Sequence, residues 1–372
     1  VIAVIGDGSL SGGEALEGLD FASELHSNLI VVVNDNEMSI AENHGGLYDN
    51  LRLLRETDGR AECNLFKAMG LDYVYVHEGN NISALINAFQ QVKDSTAPIV
   101  VHITTEKGKG YAPAEENKED WHFSGPFDVK TGKPLYESDV EDYSSVTAEY
   151  LLKNMKEDKA VVAITSGTPA VLGFTEERRK AAGSQFVDVG IAEETAVALA
   201  SGIATGGGKP VYGVYSTFVQ RTFDQLSQDL CINNSPATIV TFCASVYGMS
   251  DVTHLGIYDI PMMANIPNLV YLAPTTKEEY LAMLEWSLQQ NEHPVAIRLP
   301  GGDMVADGKA VTKDFSRLNS YEVTKRGSKV AVIGLGTFYG LGKDAAELIA
   351  KRTGVRPTVV NPYYITGLDT QL

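Results

Sequence analysis

Positive charge, cysteine and long apolar runs are all scarce in this chain. Its 30 Lys and Arg are outnumbered by 48 Asp and Glu, for a formal net charge of −18. No basic stretch offers the phosphate-neutralising surface that nucleic acid requires. No apolar run approaches the roughly 18 residues of a membrane-spanning helix, so neither nucleic acid nor a membrane is expected as a partner. Cys63, Cys231 and Cys243 are too few and too scattered for a disulfide scaffold or a zinc spacing. They fit inert thiols in a reducing, cytoplasmic setting. Low-complexity tracts and in-register repeats are missing as well.

What is present is ordinary globular material: 372 residues, 44% of them apolar, enough for two or three domains. Short β-rich runs (VIAVIG, LIVVVND, APIVVHITT) alternate with helical patterns over residues 1–128, which predicts a parallel sheet with crossover helices. In the first helix Leu16, Leu19, Ala22 and Leu25 form an inward stripe. A polar, turn-rich stretch over 129–157 reads as a linker. Runs from AVVAITS to PVAIRLP predict a second parallel-sheet domain over 158–302. KVAVIGLG and TVVNPYYI open a third α/β domain over 318–372. The opening VIAVI reads as the middle of a buried strand with no Met before it, and the third domain is short. Missing parts at both ends are therefore expected.

Chemistry concentrates where the first strands end. In a parallel sheet the ligand crevice lies beyond the carboxyl ends of the strands. Gly6, Asp7 and Gly8 close the first strand, and Asn34, Asp35 and Asn36 close the second. The glycines permit close backbone approach, and the helix that follows aims free N–H groups at an anion. Asp7 and Asn36 are the kind of oxygen donors that magnesium takes beside phosphate oxygens. Each stretch alone is more simply a turn. A glycine pattern at GLGTFYG, near residue 334, is a weak dinucleotide signal without an acidic residue on the next strand.

Taken together, GDGSLSGG and NDNEMSI, with Asn34 placed 27 positions after Asp7, resemble the thiamine diphosphate motif. More specifically they resemble the 1-deoxy-D-xylulose-5-phosphate synthase family, a transketolase-like group serving isoprenoid biosynthesis. The resemblance implies an α/β fold of successive parallel-sheet domains of the thiamine diphosphate-binding type. It also implies a homodimer using thiamine diphosphate and Mg. Asp7, Asn36 and the Met38 carbonyl would hold the metal, with Asn34 close by. VGIAEETAV is similar to the family's VGIAEQHAV, which makes Glu193 the catalytic acid for the cofactor's pyrimidine ring. YSTFVQRTFDQ supplies Phe218 to stack on that ring, with Tyr215 and Arg221 lining the substrate pocket. KGKGYAPAEE makes Lys107 a cofactor or substrate contact, while WHFSGPFD and THLGIYD contribute His122 and His254 for proton movement near neutral pH.

The acceptor half departs from the family. Its two phosphate-gripping arginines fall on Cys243 and Gly301, its pocket aspartate falls on Ser250 with Asp251 next to it, and Gln-His after the catalytic glutamate reads Glu194-Thr195. Arg298 remains as a substrate candidate. PYYITGLD in the third domain departs from the family pattern too. Losing one charge-assisted phosphate contact costs about 1.5–3 kcal/mol. The expected function is transfer of a two-carbon unit from a 2-keto donor, pyruvate by resemblance, to an aldehyde acceptor. The alternatives are ketol transfer to a non-phosphorylated acceptor, or a non-catalytic paralogue or subunit that needs a partner chain.

Overall fold

A computed structural model describes residues 1–136, 140–246, 253–302 and 304–372. The chain divides into two compact units, Val1–Asp139 with Val189–Ala192, and Val140–Asp188 with Glu193–Leu372.

The first unit is built on four parallel strands, β1 (Ile2–Gly6), β2 (Ile30–Asp35), β3 (Asp72–Val76) and β4 (Ile99–Thr104), in the order β1-β2-β4-β3. Strands β2 and β4 are central and read as continuous apolar runs because both of their faces are covered. Two apolar clusters flank the sheet. One joins Val31 and Val33 to Leu51, Leu54 and Phe66, and the other joins Val32 and Val101 to Ala88 and Val92. Strand β1 differs from the expectation of a buried strand. It lies at the sheet edge, and Val4 stays 72% exposed. The stripe on helix Gly13–Glu24 is likewise shorter than expected: Leu19 and Ala22 are buried, but Leu25 is exposed. DYVYV, which became β3, was not among the expected strands, because its aromatic residues and short length gave no clear period.

The second unit holds six parallel strands, β5 (Val161–Thr165), β6 (Phe186–Asp188), β7 (Lys209–Tyr215), β8 (Thr238–Ala244), β9 (Val270–Leu272) and β10 (Val295–Pro300), in the order β6-β5-β7-β8-β10-β9. A smaller sheet, β11 (Glu322–Lys325), β12 (Ala331–Ile333) and β13 (Thr358–Asn361), runs β11-β13-β12 with β11 antiparallel. It clusters with the six-stranded sheet in one compact unit. The stretch expected as a linker is regular in its second half. Tyr143–Glu157 is a helix capped by Asp142, whose side chain accepts the Ser145 N–H, and it buries Val146, Leu151 and Met155 in the main core. Its charged residues Glu149, Lys153, Lys156 and Glu157 are exposed, which is why composition alone suggests a linker. Among the described residues, no helix is long and apolar enough to cross a membrane.

Candidate active site

Parallel pairing sets the first cluster. Gly6 on β1 stands opposite Asn34 on β2, and the Asp7 N–H donates to the Asn34 carbonyl at 3.1 Å. The two motifs therefore end side by side. Asp7 is 2% exposed and accepts a 2.8 Å hydrogen bond from Asn43 Nδ2. Burial, and next the charge of Asp35, raise its pKa from 3.8 to about 6. Gly8 is needed for closeness: a Cβ there would lie 2.6 Å from Ser39 Cβ.

Across this turn the side chains are fixed by short-range bonds. Asn34 Oδ1 accepts from Thr105 Oγ1 at 2.6 Å, and Asn36 Oδ1 accepts from the Met38 N–H at 3.2 Å. Lys107 Nζ donates to the Ser39 and Ile40 carbonyls at 2.7 and 3.3 Å, so its ammonium ties down the 38–42 segment. Burial lowers the Lys107 pKa, even with Asp7 nearby. His122 ends a short 3-10 turn and is exposed; desolvation of its inner edge and the Lys107 charge lower its pKa. Among the described residues no group of three or more His, Cys, Asp or Glu could hold a metal. A cation at Asp7 would thus depend on amide, carbonyl and ligand oxygens, a donor set that suits magnesium. The buried carboxylate of Asp7 fits such an ion, because a positive charge offsets the penalty that raises its pKa.

A second cluster sits at the strand ends of the six-stranded sheet. Glu193 begins helix Glu193–Thr205 and is 3% exposed. Burial raises its pKa, with the Arg221 charge opposing. Arg221 forks between two carboxylates, reaching Glu193 Oε2 at 2.6 Å and Glu194 Oε1 at 3.2 Å. Tyr215, Phe218 and His254 meet edge to face, with ring centroids 5.2–5.7 Å apart. His254 Nδ1 lies 2.8 Å from Thr253 Oγ1. Phe218 is half-buried.

Arg298 is otherwise engaged. Its Nε donates to the fully buried Asp259 at 2.6 Å, one NH2 donates to the Gly256 carbonyl at 3.1 Å, and Tyr271 donates to the same carboxylate. Cys243, at one expected arginine position, is half-buried at φ +52°, and burial raises its thiol pKa. Gly301, at the other, adds no side chain. Ser250 and Asp251 lie outside the described residues. The GLGTFYG loop joins β12 to helix Phe338–Thr353 beside a cavity of about 380 Å³ whose Lys309 is already paired with Asp307. Sequence reasoning missed Asn43, Thr105, Asp259 and Glu194 as partners. Their contacts depend on strand register and loop closure, for which no local pattern exists.

Comparisons with known proteins find similarity over the whole chain. A family model described as 1-deoxy-D-xylulose-5-phosphate synthase matches residues 1–64 and 54–105, and one described as transketolase, pyrimidine binding domain, matches residues 141–304. The 1-deoxy-D-xylulose-5-phosphate synthase of Clostridium beijerinckii is 35% identical over 410 residues, covering 100% of this chain and 65% of that protein. That of Heliobacterium modesticaldum is 36% identical, covering 100% of this chain and 63% of that protein. The chain thus spans just under two thirds of the length of these relatives. Among solved structures, a transketolase from Pichia stipitis matches with TM-score 0.53 at 18% identity, over 98% of this chain and 65% of its own. A transketolase from Leishmania mexicana matches with TM-score 0.52 at 15% identity, over 98% and 64%. Along its whole length, then, this chain is a relative of the 1-deoxy-D-xylulose-5-phosphate synthases, with the transketolase-like fold.

Proposed function

We propose that the protein is a thiamine diphosphate- and magnesium-dependent transferase that moves a two-carbon unit from a 2-keto donor, pyruvate, to an aldehyde. The observation that carries this reading is the adjacency of the two strand-end motifs, with Asp7 buried at their junction and poised for a cation. In this reading Asp7, Asn36 and the Met38 carbonyl hold the metal, and Gly6 and Gly8 let the backbone approach the diphosphate. Glu193 serves the pyrimidine ring nitrogen; its burial favours the protonated acid that such a nitrogen needs. Phe218 packs on the ring, and Tyr215 and Arg221 line the substrate space. Asn34 and Lys107 shape the cation-binding turn through their bonds to Thr105 and to the 39–40 carbonyls. His122 and His254 move protons. Thiamine diphosphate supplies the electron sink that allows a bond beside a keto group to break. The protein acts in the cytoplasm, as a homodimer, on small molecules.

For the acceptor, a second reading is favoured by a specific observation. No arginine stands at Cys243 or Gly301, and the guanidinium of Arg298 is committed to Asp259. A plain aldehyde therefore suits the site better than a phosphorylated one. The test is pyruvate-dependent release of carbon dioxide with cofactor and Mg, comparing glyceraldehyde with glyceraldehyde 3-phosphate. Comparable KM values for the two are expected. A phosphate preference of a hundredfold or more would restore the phosphosugar assignment. Calorimetry showing no cofactor binding would instead support a non-catalytic paralogue.

A further inference from the structure

We infer that Arg55 is a positioning residue for the cation-binding turn, acting through the two residues on either side of Asn36. This rests on the cofactor reading above and extends it to a side chain that carries no ligand atom of its own. Arg55 closes helix Gly46–Glu56, and its side chain is 14% exposed. One nitrogen donates to Asp35 Oδ2 at 2.5 Å, and the other donates to Glu37 Oε1 at 2.6 Å. Asp35 and Glu37 are the immediate neighbours of Asn36, so a single planar guanidinium spans the residue that would bind the metal. The planar guanidinium presents two donor edges in fixed geometry to the two carboxylates, which the single-point charge of an ammonium does not reproduce.

The rest of the turn is anchored behind this bridge. His102 Nε2 lies 2.8 Å from the same Asp35 oxygen, and its Nδ1 lies 2.8 Å from the Tyr73 hydroxyl. Both Asp35 and His102 are fully buried. The other oxygen of Asp35 accepts the Glu37 N–H at 3.1 Å. Glu37 itself takes φ +69°, a conformation that a non-glycine residue keeps only when its surroundings impose it. Arg55 and Asp35 impose it from the two ends of Glu37, side chain and backbone. A buried ion pair is poor evidence for stability, whereas partners that orient metal ligands are regularly worth tenfold to a hundredfold in metal affinity.

The test is Mn²⁺ titration in the presence of thiamine diphosphate, followed by electron paramagnetic resonance, on the wild type and on R55M, R55K and E37Q. Circular dichroism and thermal unfolding accompany each. The expected result is a tenfold to hundredfold weaker Mn²⁺ affinity for R55M, with smaller losses for R55K and E37Q. Saturating Mg²⁺ should restore kcat in the last two, which a misfolded enzyme would not show. Glu37 is 65% exposed at its side chain, so E37Q decides the matter should R55M fail to fold. Wild-type Mn²⁺ affinity in both R55K and E37Q overturns the positioning role alone. Absence of Mn²⁺ binding in the wild type overturns the cofactor reading and this inference together.

Discussion

At the scale of single residues, among the described residues the buried carboxylates of Asp35, Glu193 and Asp259 form ion pairs, whereas Asp7 is held by hydrogen bonds. Burial would raise the pKa of Asp35, but His102 and Arg55 outweigh it and hold the carboxyl below its usual range. Asp7 accepts from the Asn43 amide and from backbone N–H groups including that of Asn36, which do not outweigh its burial and the Asp35 charge, and its pKa rises from 3.8 to about 6. The folded state then binds the Asp7 proton more tightly than the unfolded chain does. Stability contributed by the protonated form is lost as pH rises from about 4 to about 6 and stays lost above that. A shift of this size is worth of order 3 kcal/mol at most. Asp7→Asn should therefore raise the melting temperature of the cofactor-free protein at pH 7.5 while abolishing cation binding. In the unaltered protein, cation affinity should weaken as pH falls below about 6, checked by calorimetry from pH 5 to 8. Arg298 gives the opposite kind of prediction. Arg298→Met leaves Asp259 buried without its charge partner and should cost about 3–5 kcal/mol in chemical denaturation. A stable variant with a raised KM would return Arg298 to the substrate pocket.

At the scale of elements, the chemistry depends on where loops touch. Gly8 follows β1, and the 38–42 segment follows β2. The two approach so closely that a methyl group on Gly8 would meet the Ser39 Cβ at 2.6 Å and its Cα at 3.0 Å. Because one of the crowded atoms is backbone, Gly8→Ala must displace the segment rather than rotate a side chain. A loss of about 1–3 kcal/mol is expected from such overpacking, together with at least tenfold weaker cation binding. Unfolding curves and Mn²⁺ titration measure the two effects. Wild-type cation affinity in Gly8→Ala would show that the two loops need not stay in register. Helix and strand positions were largely legible because apolar runs of β-branched residues, such as IVVVND and TIVTFCA, carry their own signal. EVTK, which forms β11, was not, since an exposed antiparallel strand of four residues buries almost nothing. Helix Tyr143–Glu157 was hidden for a related reason: its core-facing residues are spread among Glu, Lys and Asn.

For the molecule as a whole, the two units carry different residue clusters, which the proposed function reads as different parts of one reaction. The oxygen donors lie around Asp7 and the acid, aromatic and histidine group around Glu193, while Cys243 and Gly301 stand where the resemblance leads one to expect arginines for an acceptor phosphate. Introducing phosphate on the acceptor should thus gain little. Side-by-side steady-state kinetics with phosphorylated and plain aldehydes will show nearly equal kcat/KM if this account holds.

By itself the sequence determined the type of fold, through apolar runs alternating with helical periods. It also determined the family resemblance, through short motifs whose members are close together in the chain. Only the tertiary structure decided that Asn43 bonds Asp7 and Thr105 bonds Asn34, that Arg55 bridges the neighbours of Asn36, and that Arg298 belongs to Asp259. The physical reason is range. Periodicity and turn chemistry act over a few residues and leave a mark in local order, whereas a hydrogen bond between Asn34 and Thr105 or an ion pair between Asp259 and Arg298 exists only after strands have paired and loops have closed.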